Sequence, residues 1–240
     1  FYHSLVKKRA KKNYIASITH EDGTLTGSME DVSKEFIRYY EGLLGTGVQT
    51  EDIDPQILSS GPTLSPNHRS TLMAPVTDED IKSTLRGIEG DKSPGLDGYT
   101  STFFLKSWDV VGNDLVAAIK EFFRSGSILK QWNHTGITLV PKSSHSSRVT
   151  DFRPIACCNT VHKICSKILA RRISEVLDAI VDEAQAAFVK GRNMTDNIYL
   201  MQQLLRQYFR KRVSPRCLIK IDLRKAIDSV SWAFLRQMLE

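Results

Sequence analysis

The carboxylate of Asp222 has the sequence context of a ligand for a divalent cation. It ends the segment 217–222 (CLIKID), whose apolar alternation predicts a β-strand. A carboxylate at the end of a strand is held rigidly and stays open to solvent. Such a position suits Mg²⁺, which keeps several waters and takes one or two carboxylates together with substrate phosphates. The backbone carbonyl of Leu223 is a further candidate ligand, and the competing interpretation is that Asp222 only caps the next helix.

Two cations, Lys142 and Arg153, have the types and spacing needed to hold a triphosphate. Lys142 ends a short β-rich run, and Arg153 follows on the far side of a serine-rich loop. On the two arms of a hairpin, the lysine would act as a point charge and the arginine as a bidentate fork for phosphate oxygens. Ordinary surface charge on a hairpin is the competing interpretation. Gly191 and Arg192 leave a similar choice between a phosphate contact and a plain turn between two helices.

The elements that must position these residues are mostly helices. The clearest apolar stripe predicts a helix over 160–181, with most of its basic residues off the stripe. A turn at 21–23 predicts a hairpin, and the proline-containing segment 47–75 predicts a linker or long loop. Three further helices are predicted to end near Gly45, before Gly90 and before Gly126. Another is predicted over 195–208, and a last one is predicted after Ser229. This mixture predicts an α+β fold.

Composition and charge narrow the possible partners. Of the 240 residues, 41% are hydrophobic, which excludes a wholly disordered chain. No apolar run approaches the roughly 18–20 residues of a membrane-spanning helix, so we expect no membrane partner. Residues 13–129 hold 9 Lys and Arg against 18 Asp and Glu, whereas 130–240 hold 19 against 9. The basic half suggests a polyanionic partner, most often nucleic acid, and a merely solvated basic surface is the competing interpretation.

The cysteines and the ends of the chain support two further expectations. The four cysteines contain no C-x-x-C spacing, so neither a zinc site nor a disulfide framework is predicted, and a reducing intracellular setting is favoured. The chain begins at Phe1, and its first residues are basic without an apolar stretch of the kind found in signal peptides. We expect the sequence to be a piece of a longer protein.

Five motifs occur in an order that resembles the reverse transcriptases of plant LINE-type (non-LTR) retrotransposons. The resemblance covers essentially all of residues 1–240, and the part up to about Thr71 is similar to the segment that joins that family's endonuclease to its polymerase. The motifs are KSPGLDG (92–98), LVPK (139–142), DFRPIACCNTVHKICSKILARRI (151–173), DEAQAAFVKGRNMTDNI (182–198) and SPRCLIKIDLRKAIDSVSWAFL (214–235).

The resemblance implies a fold and a division of the chain. The fold would be a partial right-hand polymerase, with mostly helical fingers and the first palm strand, truncated before the second catalytic palm hairpin. Residues 1–71 would form a linker or N-terminal extension that precedes the polymerase. Residues 72–215 would form the fingers and the template-contacting region, and 216–240 would begin the palm with the strand of the first catalytic aspartate.

The same resemblance implies roles for individual residues. Asp222 matches the first catalytic aspartate, which binds two Mg²⁺ ions, with the Leu223 carbonyl as a further ligand. Lys142 and Arg153 match the fingers residues that hold the incoming deoxynucleoside triphosphate, and the loop 94–98 corresponds to a loop near the template. The residues expected along the template and primer are Gln185, Gly191, Arg192, Lys163 and Lys167.

The implied reaction is phosphoryl transfer. A primer 3′-hydroxyl would attack the α-phosphate of a deoxynucleotide, with the attacking and leaving oxygens stabilised by two ions about 3.5–4 Å apart. The partners would be an RNA template, a DNA primer and deoxynucleoside triphosphates. The family resemblance also implies an intracellular, nuclear location.

Two departures from the family pattern affect this prediction. Ile227 stands where the family has an aromatic residue that packs against the nucleotide sugar, so sugar selection is in question. The 240 residues also contain no Asp-Asp pair, whereas the family carries its other catalytic aspartates as such a pair. We therefore expect this piece alone to be inactive. The alternatives are a catalytically dead retroelement remnant that binds nucleic acid or protein, and a plain helical interaction domain.

Overall fold

A computed structural model describes residues 3–4, 13–45, 50–206, 208, 217–223 and 227–240. Helices predominate among these residues, with one two-stranded sheet, which agrees with the predicted α+β class. The strands are β1 (Thr135–Pro141) and β2 (Phe152–Cys158). The helices are α1 (Met29–Tyr40), α2 (Pro55–Ser60), α3 (Pro66–Met73), α4 (Asp78–Arg86), α5 (Ser101–Lys106), α6 (Trp108–Ser125), α7 (Lys130–Asn133), α8 (Thr160–Ile180), α9 (Met194–Leu205) and α10 (Trp232–Leu239).

The chain folds as two compact units, each built from separate stretches of sequence. Unit 1 comprises Phe1–Pro55, Thr135–Cys157 and Leu223–Glu240, and unit 2 comprises Gln56–His134 and Cys158–Asp222. The sequence-based division into 1–71, 72–215 and 216–240 follows chain order and stays a prediction.

Unit 1 is organised around a small apolar cluster formed by Ile18, Val32, Phe36 and Phe152. The rings of Phe36 and Phe152 meet edge to face with centroids 5.3 Å apart, an arrangement favoured by the aromatic quadrupole. This contact packs α1 against β2. The predicted N-terminal hairpin is present as an antiparallel bridge between Thr19 and Leu25. The cluster therefore anchors the sheet that carries Arg153.

Unit 2 has the larger core, and α8 forms its axis. The fully buried side chains of Ile164 and Ile168 pack with those of Ile81, Leu85 and Ile119. The apolar stripe of the sequence predicts this helix correctly, since α8 spans Thr160–Ile180. None of the described helices is both long and apolar enough to cross a bilayer.

Two sequence predictions of local structure are wrong. The segment 47–75 contains the short helices α2 and α3 where a linker was expected, and its residues 47–49 lie outside the described part. Ser65 caps the start of α3, because its hydroxyl accepts a hydrogen bond from the backbone N–H of His68 at 3.2 Å. Pro66, at the first helical position, has the backbone angle that a helix start requires.

The segment 217–222 is the second error, because it forms no strand and therefore does not supply the expected first palm strand. Its apolar side chains are exposed, with Ile219 at 74% and Ile221 at 78%. Strand propensity depends on packing and on a paired neighbour. Among the described residues no strand pairs with this segment, so its composition alone does not produce a strand. The expected helix after Ser229 is confirmed as α10.

Helix α4 begins with a capping box that also receives an arginine from α8. The Thr77 hydroxyl accepts from the Asp80 backbone N–H at 3.1 Å, and the Asp80 carboxylate accepts from the Thr77 backbone N–H at 3.0 Å. Arg171 donates to the same carboxylate at 2.6 Å. The hydrogen bonds from Thr77, followed by the contact with Arg171, lower the pKa of Asp80.

We predict that Asp80→Asn lowers the free energy of unfolding by about 1–2 kcal/mol at pH 7, the range expected for losing a cap together with a partly exposed ion pair. Because the folded protein lowers the Asp80 pKa, this stability is present above the ordinary carboxyl value and is lost as pH falls through the lowered one. Urea titrations from pH 7 to pH 3 should show the two proteins converging at the acid end. Glu79→Gln, on an exposed pair with Arg86, is the matched control and should change little. A constant difference down to pH 3 would contradict the assignment.

Candidate nucleotide and nucleic-acid site

Lys142 lies at the start of the loop that joins β1 to β2. Its backbone N–H donates to the carbonyl of Asp151 at 2.8 Å, which continues the strand pairing. Its ammonium donates to the carbonyl of Thr150 at 2.7 Å. Backbone donors of Arg148 and Ser147 lower the pKa of the Asp151 carboxyl, and the nearby charge of Lys142 adds to this effect. The hairpin therefore holds the ammonium in place, in an exposed position that a phosphate could reach.

Arg153 occupies the second position of β2, directly after the buried Phe152. Because successive strand residues point to opposite faces, burial of Phe152 turns Arg153 outward. No hydrogen bond or ion pair joins its guanidinium to another described residue. Lys142 and Arg153 are thus carried by one hairpin of unit 1, as the sequence predicts. The arginine keeps its full set of donors for a ligand.

Asp222 is exposed, and its carboxylate has no hydrogen-bond or ion-pair partner within the described part of the chain. It closes unit 2, while Leu223, which is 72% exposed, opens the last stretch of unit 1. Among the described residues, no group of three or more His, Cys, Asp or Glu side chains could hold a metal ion. The exposed carboxylate of Asp222 can serve as a single ligand of Mg²⁺, which takes one or two carboxylates together with waters and substrate phosphates.

Ile227 follows in a turn of unit 1, where 86% of it is exposed. The same turn contains Asp228, whose charge makes a minor contribution to raising the pKa of Tyr40, after burial of the phenol and the charge of Tyr39. The expected sugar-contacting role of Ile227 stays a prediction. Its exposure leaves the side chain open to a ligand.

The turn between α8 and α9 brings Gln185, Gly191 and Arg192 together. Gly191 has φ of +84°, a left-handed conformation that favours glycine. The guanidinium of Arg192 donates to the carbonyls of Asp182 at 2.5 Å, Gln185 at 2.9 Å and Val181 at 2.9 Å. It also meets the Asp178 carboxylate at 3.3 Å, and only 16% of the side chain is exposed. Most donors of Arg192 are therefore used inside unit 2.

The basic residues of α8 make similar internal contacts. The Lys163 ammonium donates to the carbonyl of Ser93 at 2.7 Å, and the Lys167 ammonium donates to the carbonyl of Gly87. Gly87 ends α4, so Lys167 places a positive charge where the helix dipole is negative. Together with Arg171, these residues repeat every four positions along one side of α8. The periodicity of the sequence predicts such a row but not what its members contact.

Unit 1 also contains a groove that the sequence did not predict. It has a volume of ≈ 990 Å³ and lies between the hairpin that contains His20, the end of α1 and the loop around Arg148. His20 pairs with Glu35 at 3.4 Å across one wall. Both basic and acidic side chains line the groove, so its lining does not favour a ligand of one charge. No motif in the sequence marks this groove.

Comparison with known proteins identifies what this sequence is similar to. Residues 140–240 match the family model for reverse transcriptase (RNA-dependent DNA polymerase). This part of the chain is similar to reverse transcriptases. The matched range contains Lys142, Arg153, Asp222 and every other residue predicted for the site. It begins after the KSPGLDG loop.

Retrotransposon proteins are among the relatives. The chain is 28% identical over 235 residues to the Transposon TX1 uncharacterized 149 kDa protein of Xenopus laevis, covering 98% of this chain and 18% of the relative. It is 25% identical over 169 residues to the Retrovirus-related Pol polyprotein from type-1 retrotransposable element R2 of Popillia japonica, covering 69% and 22%. It is 22% identical over 170 residues to the Probable RNA-directed DNA polymerase from transposon BS of Drosophila melanogaster, covering 69% and 18%.

The chain therefore spans about a fifth of the length of these curated relatives. The matches support the resemblance to reverse transcriptases of LINE-type retrotransposons that the motifs predicted. The alignment with the TX1 protein covers nearly the whole chain, so it includes most of the part that precedes residue 140. The expected plant origin stays a prediction.

Proposed function

We propose that this chain is part of an RNA-directed DNA polymerase of a plant LINE-type (non-LTR) retrotransposon. The observation that carries the proposal is the reverse transcriptase match over residues 140–240, which contains all the residues predicted to bind nucleotide and metal. The exposed side chains of Arg153 and Asp222, which have no partner among the described residues, support it. The substrates would be deoxynucleoside triphosphates, with an RNA template and a DNA primer, in the nucleus.

In this proposal the hairpin of unit 1 binds the triphosphate. Arg153 donates two parallel hydrogen bonds to phosphate oxygens, and Lys142, fixed by the Thr150 carbonyl, adds a point charge. Asp222 and the Leu223 carbonyl would supply part of the ligand set for Mg²⁺, which would contribute charge neutralisation at the attacking and leaving oxygens. Exposure of Ile227 leaves the sugar position open to a ligand, so weak discrimination between deoxyribose and ribose is part of the proposal.

The proposal includes inactivity of these 240 residues by themselves. Two divalent ions repel each other and need more than one shared carboxylate, and the sequence has no Asp-Asp pair to supply the others. In a primer-extension assay with Mg²⁺, the purified chain should incorporate no nucleotide. Incorporation that Asp222→Ala abolishes would contradict the inactivity while supporting the polymerase assignment.

Nucleotide binding tests the proposal directly. We predict that the purified chain binds a fluorescent deoxynucleoside triphosphate and that Arg153→Gln weakens this binding about tenfold or more, the range for losing a charge-assisted bidentate contact. The change should appear as a higher dissociation constant in an equilibrium titration. Lys106→Gln is the matched control, since Lys106 is also exposed and its ammonium forms no hydrogen bond or ion pair with another described residue. Equal effects of the two variants would favour the alternative, a remnant that binds polyanions without a nucleotide site.

A further inference from the structure

The loop 93–99, which contains most of the KSPGLDG motif, is hydrogen-bonded at both ends to the first turn of α8. At its start, the carbonyl of Ser93 accepts from the Lys163 ammonium at 2.7 Å. At its end, the carbonyl of Tyr99 accepts from the Thr160 hydroxyl at 2.8 Å. Thr160 and Lys163 are neighbours on one face of the helix, since residues three apart lie one above the other. One helical turn therefore holds both ends of the loop.

The middle of the loop contacts the same turn through Gly95. A Cβ atom at Gly95 would lie 2.0 Å from Asn159 Oδ1, 2.5 Å from its backbone nitrogen and 2.6 Å from its Cα. Two of these atoms belong to the backbone and cannot move aside by a rotamer change. The position therefore requires glycine because the loop backbone lies directly against the start of α8.

Burial shows that the loop covers this turn closely. Asn159 is 3% exposed and Thr160 is 1% exposed. The Asn159 amide nitrogen donates to the carbonyl of Gln131 at 3.0 Å, whereas its Oδ1 has no hydrogen-bond partner among the described residues. The outer side of the loop stays open, with Leu96 at 68% and Tyr99 at 48% exposed.

We infer that Lys163 is a positioning residue that, with Asn159 and Thr160, holds the loop 93–99 in one conformation, and that it does not contact nucleic acid itself. The inference deepens the proposed function, on which it rests for the role of the loop, because Lys163 belongs to the set expected along the template. The Lys142 ammonium also donates to a backbone carbonyl, but Lys142 is exposed, whereas Lys163 is only partly exposed. The ammonium of Lys163 instead links α8 to a loop that lies 70 residues away in the sequence, which favours a structural role for its charge.

Limited proteolysis tests the inference without reference to polymerase activity. Trypsin cleaves after Lys92, directly before the loop 93–99. The initial cleavage rate at this bond in the intact 240-residue chain therefore measures how often the loop opens. We expect Lys163→Met to raise that rate about tenfold, the effect of losing one hydrogen bond from a charged donor. Lys163→Arg, which can still reach the Ser93 carbonyl, should restore most of the protection. Lys106→Met is the matched control and should leave the rate unchanged.

A second variant and a second readout complete the test. Thr160→Val removes the hydrogen bond to the Tyr99 carbonyl and should raise the rate of cleavage after Lys92 while Lys163 is intact. Far-UV circular dichroism confirms that each variant is folded. Unchanged cleavage in Lys163→Met would overturn the inference. In RNA binding at several salt concentrations, Lys163→Met should keep the slope of log affinity against log salt, whereas loss of a phosphate contact would reduce it by about 0.7–0.9 and overturn the inference. Absence of RNA binding by the parent chain would contradict the proposed function, and the cleavage rates would then decide the inference alone.

Discussion

Replacing Ile164 by alanine should lower the free energy of unfolding by about 3 kcal/mol, within the roughly 2–5 kcal/mol range for deleting a large aliphatic side chain from a packed core. Ile164 is fully buried at the centre of unit 2, in the cluster that also contains Ile168, Ile81 and Leu85. The cost combines lost transfer free energy with a cavity, because α8 is held by several neighbours and cannot close the gap. Urea denaturation followed by circular dichroism at 222 nm measures the change.

The same helix supplies the control for this prediction. Leu169 lies on α8 one turn further along, but 41% of it is exposed, so Leu169→Ala should cost well below half as much. Both variants keep the good helix propensity of alanine, so the difference between them isolates core packing. If the two variants are equally stable, α8 is not the axis of the core. The positions assigned to Lys163, Lys167 and Arg171 on that helix would then be unsupported as well.

Local sequence patterns predicted the parts of the fold in which a few neighbouring residues decide the outcome. The stripe of α8 and the turn at 21–23 are such cases, because the groups that stabilise them lie close together in the sequence. The segment 217–222 is the opposite case. Its composition favours a strand, but a strand also needs a partner, and pairing cannot be deduced from one segment.

The charged residues of the candidate site show the same limit of sequence-based prediction. The sequence predicts a basic surface from the excess of cations after residue 130. Arg153 fits that prediction, because its guanidinium has no hydrogen-bond or ion-pair partner in the part of the chain that the structure describes. Lys163, Lys167 and Arg192 belong to the same excess, yet the structure binds each of them to backbone carbonyls. Counting charges cannot separate these two classes, because a count does not show which carbonyls the fold brings to each cation. The acceptors of Lys163 and Lys167, for example, lie 70 and 80 residues away in the sequence. Nucleic-acid affinity should therefore depend on fewer cations than the composition indicates.

Arg192→Met should lower the free energy of unfolding by about 2–3 kcal/mol, because several charge-assisted hydrogen bonds are lost and the partly buried carbonyl of Val181 loses its donor. The acceptors include Val181, which ends α8, and Gln185 in the following turn. Arg192→Lys should recover less than half of the loss, since an ammonium cannot match the planar fork that reaches four acceptors. Urea denaturation gives the stabilities, and hydrogen exchange of the amides in 182–192 should show the turn opening first.

The alternative role for Arg192, a contact to template phosphate, makes the opposite prediction and can be separated in the same proteins. A phosphate contact would leave stability nearly unchanged and reduce the salt slope of RNA binding by about 0.7–0.9, whereas an internal support changes stability and keeps the slope. Arg206→Met is the matched control, because Arg206 is exposed and its side chain forms no hydrogen bond or ion pair with another described residue. Since 16% of the Arg192 side chain is exposed and its donors already have protein acceptors, a phosphate would have to displace those bonds. That cost favours the support role, and a reduced slope at unchanged stability would exclude it.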